Sequence, residues 1–149
     1  MKRLALRATK PNQARAGADV PTARANAGLS TLALSIAVGY VVGAIFRCDP
    51  GCPLAASWRQ GIHNMGGGIE YVGGAVGLWR IGDAVHDGAA NSLSIAFGGA
   101  AAIVAVAVVL MSMPALFRWR GAVQRVAEAL LFAALVIGAG LLETRVAAV

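Results

Sequence analysis

A chain of 149 residues that is 58% hydrophobic and only 13% charged, with a mean hydropathy of +0.67, has too few polar side chains to cover a water-soluble surface. Its net charge of +6 flanks apolar runs and comes with no binding motif or aromatic platform. That excludes nucleic acid as the expected partner and points to membrane lipid, whose anionic headgroups attract such flanks.

Residues 1–28 hold Lys2, Arg3, Arg7, Lys10, Arg15 and Arg24 against Asp19 alone. With no apolar core they are not a cleavable secretory signal. An organelle transit peptide has a similar composition, but a disordered basic tail is the simpler expectation. The first uncharged apolar run is 29–46, long enough for a membrane helix. A second run, 58–80, is apolar and glycine-rich but contains His63 and Glu70. Its ends are marked by Trp58 and Trp79, which a helix separates by about 31 Å, the spacing of two interfacial belts. Ser57 followed by Gln60 reads as a capping box, with Pro53 just upstream, so this helix is expected to start near Trp58. A re-entrant or surface-lying second segment is the alternative. The run 92–113 has no charge and ends at Pro114; the run 121–142 carries Arg125 and Glu128 in its first turns, with Trp119 just before it. Residues 143–149 form a short tail. The expected fold is therefore all-α, a polytopic bundle of four membrane-spanning helices.

Small residues recur at helical spacing: Thr31, Ser35, Gly39 and Gly43; Gly66, Gly67, Gly73, Gly74 and Gly77; Ser94, Gly98 and Ala102. Such stripes let helices approach closely in lipid, and they leave surface through which a homo-oligomer could form. None sits between a strand and a helix, so they are read as packing rather than as a phosphate loop.

Four spans place both termini on one side. The positive-inside bias favours cytoplasmic termini, by a small margin once only residues near the spans are counted. Cys48 and Cys52, five residues inclusive across Asp49-Pro50-Gly51, would suit a disulfide on an oxidising outer face.

Ionisable groups within a span are costly and therefore functional candidates. Glu70 lies about 18 Å from the start of the second helix, near mid-membrane, with His63 two turns earlier on the same face. Arg125 and Glu128 are spaced to pair with each other, and Gln124 stands four residues before Glu128. Connectivity collects Cys48, Asp49, Cys52, Arg59, His63, Arg125 and Glu128 in one leaflet, with Glu70 deeper. Asp83, His86 and Asp87 fall on the opposite side, about 30 Å away. Each candidate has a structural counterpart: Glu70 as a protonated or Arg-paired tie between helices, His63 as an interfacial donor. Two Cys and one His match no standard zinc spacing, and Cys-x3-Cys is not the thioredoxin-like motif. No cofactor, metal or catalytic residue is assigned from these residues, and no nucleophilic triad can be built from their order.

The stretch Phe46-Arg47-Cys48-Asp49-Pro50-Gly51-Cys52-Pro53, followed by Gly61-Ile62-His63-Asn64, resembles the signature loop of the bacterial and archaeal membrane family called domain of unknown function 998. The resemblance covers about 29–142. Members have about six spans, so this chain looks as if it lacks the first two. It implies a helical membrane protein and no particular reaction. The functional expectation is an integral protein of the cell membrane, structural, accessory or transporter-like, with a polar cluster in one leaflet. The rival expectations are a metal-dependent lipid hydrolase using His63, Asp49 and Glu128, and a redox or binding module centred on the two cysteines.

Overall fold

Apolar segments satisfy their backbone hydrogen bonds most locally as helices, and the long Ala-, Leu-, Val- and Gly-rich runs do so here. The computed structural model describes residues 11–86 and 91–146, and among them it contains four α-helices and no strand. These are α1 (Pro11–Ile45), α2 (Trp58–His86), α3 (Asn91–Ser112) and α4 (Arg120–Val146), with a short 3₁₀ stretch, Pro114–Trp119, leading into α4. Three stretches are long and apolar enough to cross a membrane: Thr22–Ile45, Ser92–Ser112 and Pro114–Thr144. They are compatible with a multi-pass membrane protein.

Three boundaries differ from the sequence reading. α4 runs to Val146, so residues 143–146 of the expected C-terminal tail are helical, and 147–149 lie outside the described residues. α1 is already helical at Pro11, the first described residue, so helix extends into the tail expected to be disordered, where the Ala-rich sequence favours it. Residues 1–10 of that tail lie outside the described residues. α2 continues to His86, so Asp83 and His86 sit on its last turns rather than in a loop; Asp87 lies outside the described residues.

The helices pack in chain order around α2, which touches α1, α3 and α4, while α4 also returns to α1. The α1–α2 seam is antiparallel and built from glycines closely faced by side-chain or backbone atoms of the partner helix. Gly28 lies against Ile81, Gly77 against Leu32, Gly73 against Ser35, Gly39 against Glu70, and Gly66 against Val42. On α1 these positions are spaced four, three, four and three residues apart, the seven-residue rhythm of two helices in close register. Of the stripe expected on the first helix, Ser35 and Gly39 lie in this seam. Thr31 instead donates to Ala27 O and accepts from Arg80, and Gly43 borders a cavity. On α3 the buried face is Phe97, Ala101, Val104 and Ala107. Of the small-residue stripe expected there, Ser94 and Gly98 lie where Gly82 of α2 meets the α3 backbone, whereas Ala102 faces outward. Leu32, Leu78, Val104 and Leu131 are the fully buried apolar centre.

The outer surface is apolar. Leu34, Val38, Val41 and Ile45 on α1, Ile95, Ile103, Val106 and Val109 on α3, and Val126, Phe132, Val136 and Ile137 on α4 are all exposed. A water-soluble bundle turns such residues inward, and exposed apolar area on this scale calls for a partner or a membrane.

Candidate functional site

A turn fixes the end of the molecule where the site lies. Asp49-Pro50-Gly51-Cys52 has proline second and glycine third, the sequence of a type II turn. Gly51 has φ +82° and the Cys52 N–H donates to Asp49 O at 2.8 Å, as that turn requires. The turn returns Cys52 to Cys48, their Cα atoms 5.2 Å apart, and the two are joined as a disulfide. Cys52 itself has φ +47°, unusual for a residue with a side chain.

Polar side chains tie this loop to the start of α2. Ser57 Oγ accepts from the Gln60 N–H, which is half of the expected capping box. The other half is replaced: Asp49 Oδ2, not Gln60, accepts the Ser57 N–H at 3.1 Å. Gln60, fully buried, instead accepts the Asp49 N–H at 2.8 Å and donates to Asn64, which donates onward to Leu54 O. His63 Nδ1 stands 2.8 Å from Phe46 O; a carbonyl accepts only, so Nδ1 carries a hydrogen, and in the neutral ring Nε2 is then the nitrogen with the lone pair. Asp49 is thus a capping residue of the loop.

The Ser57 hydroxyl and then its backbone N–H hold the Asp49 carboxyl below the usual carboxylate range. Its contribution is therefore present above the unfolded pKa of about 4 and is lost as pH falls through the lower folded value. Proteolytic nicking within 47–57 should accelerate in acid below about pH 4, and Asp49→Asn should show the faster rate already at neutral pH. Equal nicking of the two proteins at neutral pH would refute the capping role.

Behind this loop is a cavity of about 940 Å³, bordered by α1, α2, the end of α3, the 3₁₀ stretch and the start of α4. Its polar lining includes His63, Asn64, Glu70, Tyr71, Gln124 and Glu128, with Arg118 and Arg120 near the loop. Tyr40, Tyr71 and Phe117 supply aromatic wall, and Tyr40 packs edge-on against Phe132 at 5.6 Å to close α1 onto α4. Arg120 donates to Cys52 O at 2.7 Å, fastening the loop to the start of α4.

Glu70 is 6% exposed and its Oε1 has no hydrogen-bond partner. It fits only because Gly39 faces it: a Cβ there would lie 2.5 Å from both Glu70 Cβ and Oε2. Glu128 is better supplied, accepting from the Tyr71 hydroxyl at 3.1 Å and from Gln124 at 3.0 Å. Glu70 and Tyr71 are adjacent in sequence, so a helix turns them about 100° apart. One therefore faces α1 and the other α4, and the cavity receives both.

Of the predicted cluster, His63, Glu70 and Glu128 line this one cavity and Asp49 does not. Arg125 is exposed and makes neither the expected pair with Glu128 nor any other ion pair among the described residues. Gln124, a full turn before Glu128, has the better register for its carboxylate. Among the described residues, the His, Cys, Asp and Glu side chains close enough to share an ion are Cys48, Cys52 and His63. The trio His63, Asp49 and Glu128 is not gathered. Sequence reasoning missed Tyr71, Tyr40 and Arg120 as site residues. Tyr71 could have been found from its place beside a carboxylate in an apolar run, since a buried tyrosine hydroxyl needs a partner.

No protein-family model, curated protein or solved structure matches this chain.

Proposed function

We propose that this is an integral membrane protein of four spanning helices, transporter-like in design, that binds a small organic cation in the cavity at Glu70 and Glu128. The observation that carries this reading is that Glu70, buried and with an unpartnered oxygen, borders a cavity that a second carboxylate also lines. A carboxylate held away from water needs a proton or a cation. A bare ion would need only a small cage, whereas ~940 Å³ is the size of a site for an organic molecule. Aromatic walls beside carboxylates are suited to an ammonium group, through cation–π attraction.

The fourth span is α2, whose glycines and polar residues lower its hydropathy. The polar residues Gln60 and Glu70 are buried. Its exposed stripe of Met65, Ile69, Val72, Val76 and Trp79 is apolar throughout. Its 29 residues reach about 43 Å, more than the hydrocarbon thickness. Trp58 and Trp79 are 70% and 66% exposed, as belt residues should be. With four spans, the disulfide loop and cavity mouth lie on the side opposite the termini, and the positive-inside bias together with the cysteine pair favours cytoplasmic termini. The cysteine-loop resemblance supports the membrane location and supplies no reaction.

Binding of benzyltrimethylammonium to purified protein, followed by equilibrium dialysis in detergent, tests the proposal. Saturable binding at neutral pH that weakens in acid is expected, because protonation removes the charge the cation pairs with. Absence of saturable binding at every pH would sink it.

A further inference from the structure

The disulfide loop holds a second set of groups that the cation site does not use. One ligand atom each from Cys48, Cys52 and His63 lies within 4.8 Å of the other two. We propose that, once reduced, this loop is a metal site for a thiolate-preferring ion such as Zn²⁺, with the disulfide as its closed, metal-free state. Two thiolates and one imidazole are a donor set that such ions prefer over carboxylate or carbonyl oxygen.

Three observations beyond proximity support the assignment. First, the His63 Nδ1–H is taken by Phe46 O, which fixes the ring and leaves Nε2 as the coordinating nitrogen. Metal-ligating histidines are oriented in the same way by a carbonyl or carboxylate on the other nitrogen. Second, the loop has fastenings besides its disulfide. The turn bond from Cys52 N–H to Asp49 O, the Gln60 and Ser57 bonds to Asp49, and the Arg120 bond to Cys52 O involve no sulfur atom, so reduction does not itself remove them. The two sulfurs therefore stay beside His63 when the bond between them is broken. Third, Cys52 and His63 both line the cavity, so a fourth coordination position opens onto it. The spacing of the three residues concealed this site, because His63 is delivered by the fold of the loop against α2 rather than by a short motif.

The chemistry balances with a low-molecular-weight thiol as reductant. Two equivalents deliver two electrons and two protons to the Cys48–Cys52 bond and leave as their own disulfide. Binding of the ion then releases the two thiol protons, forms two metal–sulfur bonds and one bond to Nε2, and leaves a site of no net charge.

The test uses cobalt as a spectroscopic stand-in for zinc, on the full chain in detergent, without oxygen and with a phosphine reductant. Reduced wild-type protein is expected to bind one Co²⁺ per chain with a thiolate-to-cobalt charge-transfer band that added Zn²⁺ abolishes. The oxidised protein should show no band. Cys52→Ser should lose the band, and so should His63→Gln, which keeps a donor for Phe46 O but lacks the imidazole nitrogen. Reduced wild type without a band would overturn the proposal, as would a band retained in folded His63→Gln or Cys52→Ser. The oxidised-against-reduced comparison needs no variant, so a variant that fails to fold does not blunt the test. It also needs no organic cation, so its failure is distinguishable from failure of the Glu70 site.

Discussion

Gly77→Val is expected to be the most destabilising single substitution in the α1–α2 seam. A Cβ at Gly77 would lie 2.7 Å from Leu32 N and 2.9 Å from Leu32 Cα, both backbone atoms. Side chains can turn aside from an intruding methyl, but a helix backbone can yield only by moving the whole helix. Overpacking of this kind costs about 1–3 kcal/mol when side chains can adjust, so a backbone clash should reach about 3 kcal/mol or more. Thermal unfolding in detergent would measure the loss. Gly74 is the informative contrast, since the three atoms nearest its Cβ would all belong to the Leu131 side chain, Cδ2 at 2.6 Å first. Gly74→Ala should be partly rescued by Leu131→Ala, whereas Gly77→Val should not be rescued by Leu32→Ala. Gly99, which nothing approaches within 4 Å, should accept alanine with a gain of up to about 1 kcal/mol from helix propensity. If Gly77→Val unfolds no earlier than wild type, α1 and α2 do not meet at Leu32 and the seam is wrong.

Much of the fold was legible because the physics is local. Helix positions follow from apolar run lengths, and the start of α2 followed from Ser57 and Gln60. The reciprocal bond of that capping box was not legible, because Asp49 reaches it from eight residues away in the loop. Glycine stripes announced close helix contact but not its register. Ser35 and Gly39 were identifiable as seam residues, yet Gly28, Leu32 and Val42 complete the seam, and only pairing with α2 reveals which residues face it. The α3 stripe held only in part: Ser94 and Gly98 take the close approach of Gly82, whereas Ala102 is exposed, because small residues mark close packing only where a partner helix arrives. In the site, Glu70, His63 and Glu128 stood out because charge is costly in an apolar run. Arg125 stood out for the same reason and does not belong, since helix rotation turns it outward. Tyr71 carries no charge to mark it: its one signal is its place beside Glu70, and its partner is revealed only when α4 brings Glu128 to its hydroxyl.

Glu70→Gln is expected to separate the binding reading from the structural one. The substitution keeps volume and shape and removes the charge. A tie between helices would show partners, but Glu70 Oε1 has none, and the contact with Gly39 is one of shape. The variant should therefore fold with a thermal midpoint equal to or above that of wild type, because an uncompensated buried charge has been removed. Cation binding should fall by ~30-fold or more, the consequence of losing one partner of a buried charge pair at about 2 kcal/mol or above. Glu128→Gln should be milder for binding, since Tyr71 and Gln124 already occupy one oxygen of that carboxylate. It should cost more in stability, because the Tyr71 hydroxyl then depends on a neutral acceptor, a weaker one by roughly half. Paired dialysis and unfolding measurements on both variants resolve the matter. A Glu70→Gln protein that binds as wild type but unfolds early would make Glu70 a structural residue. One that folds normally and no longer binds would make the cavity a cation site with Glu70 as its principal anion.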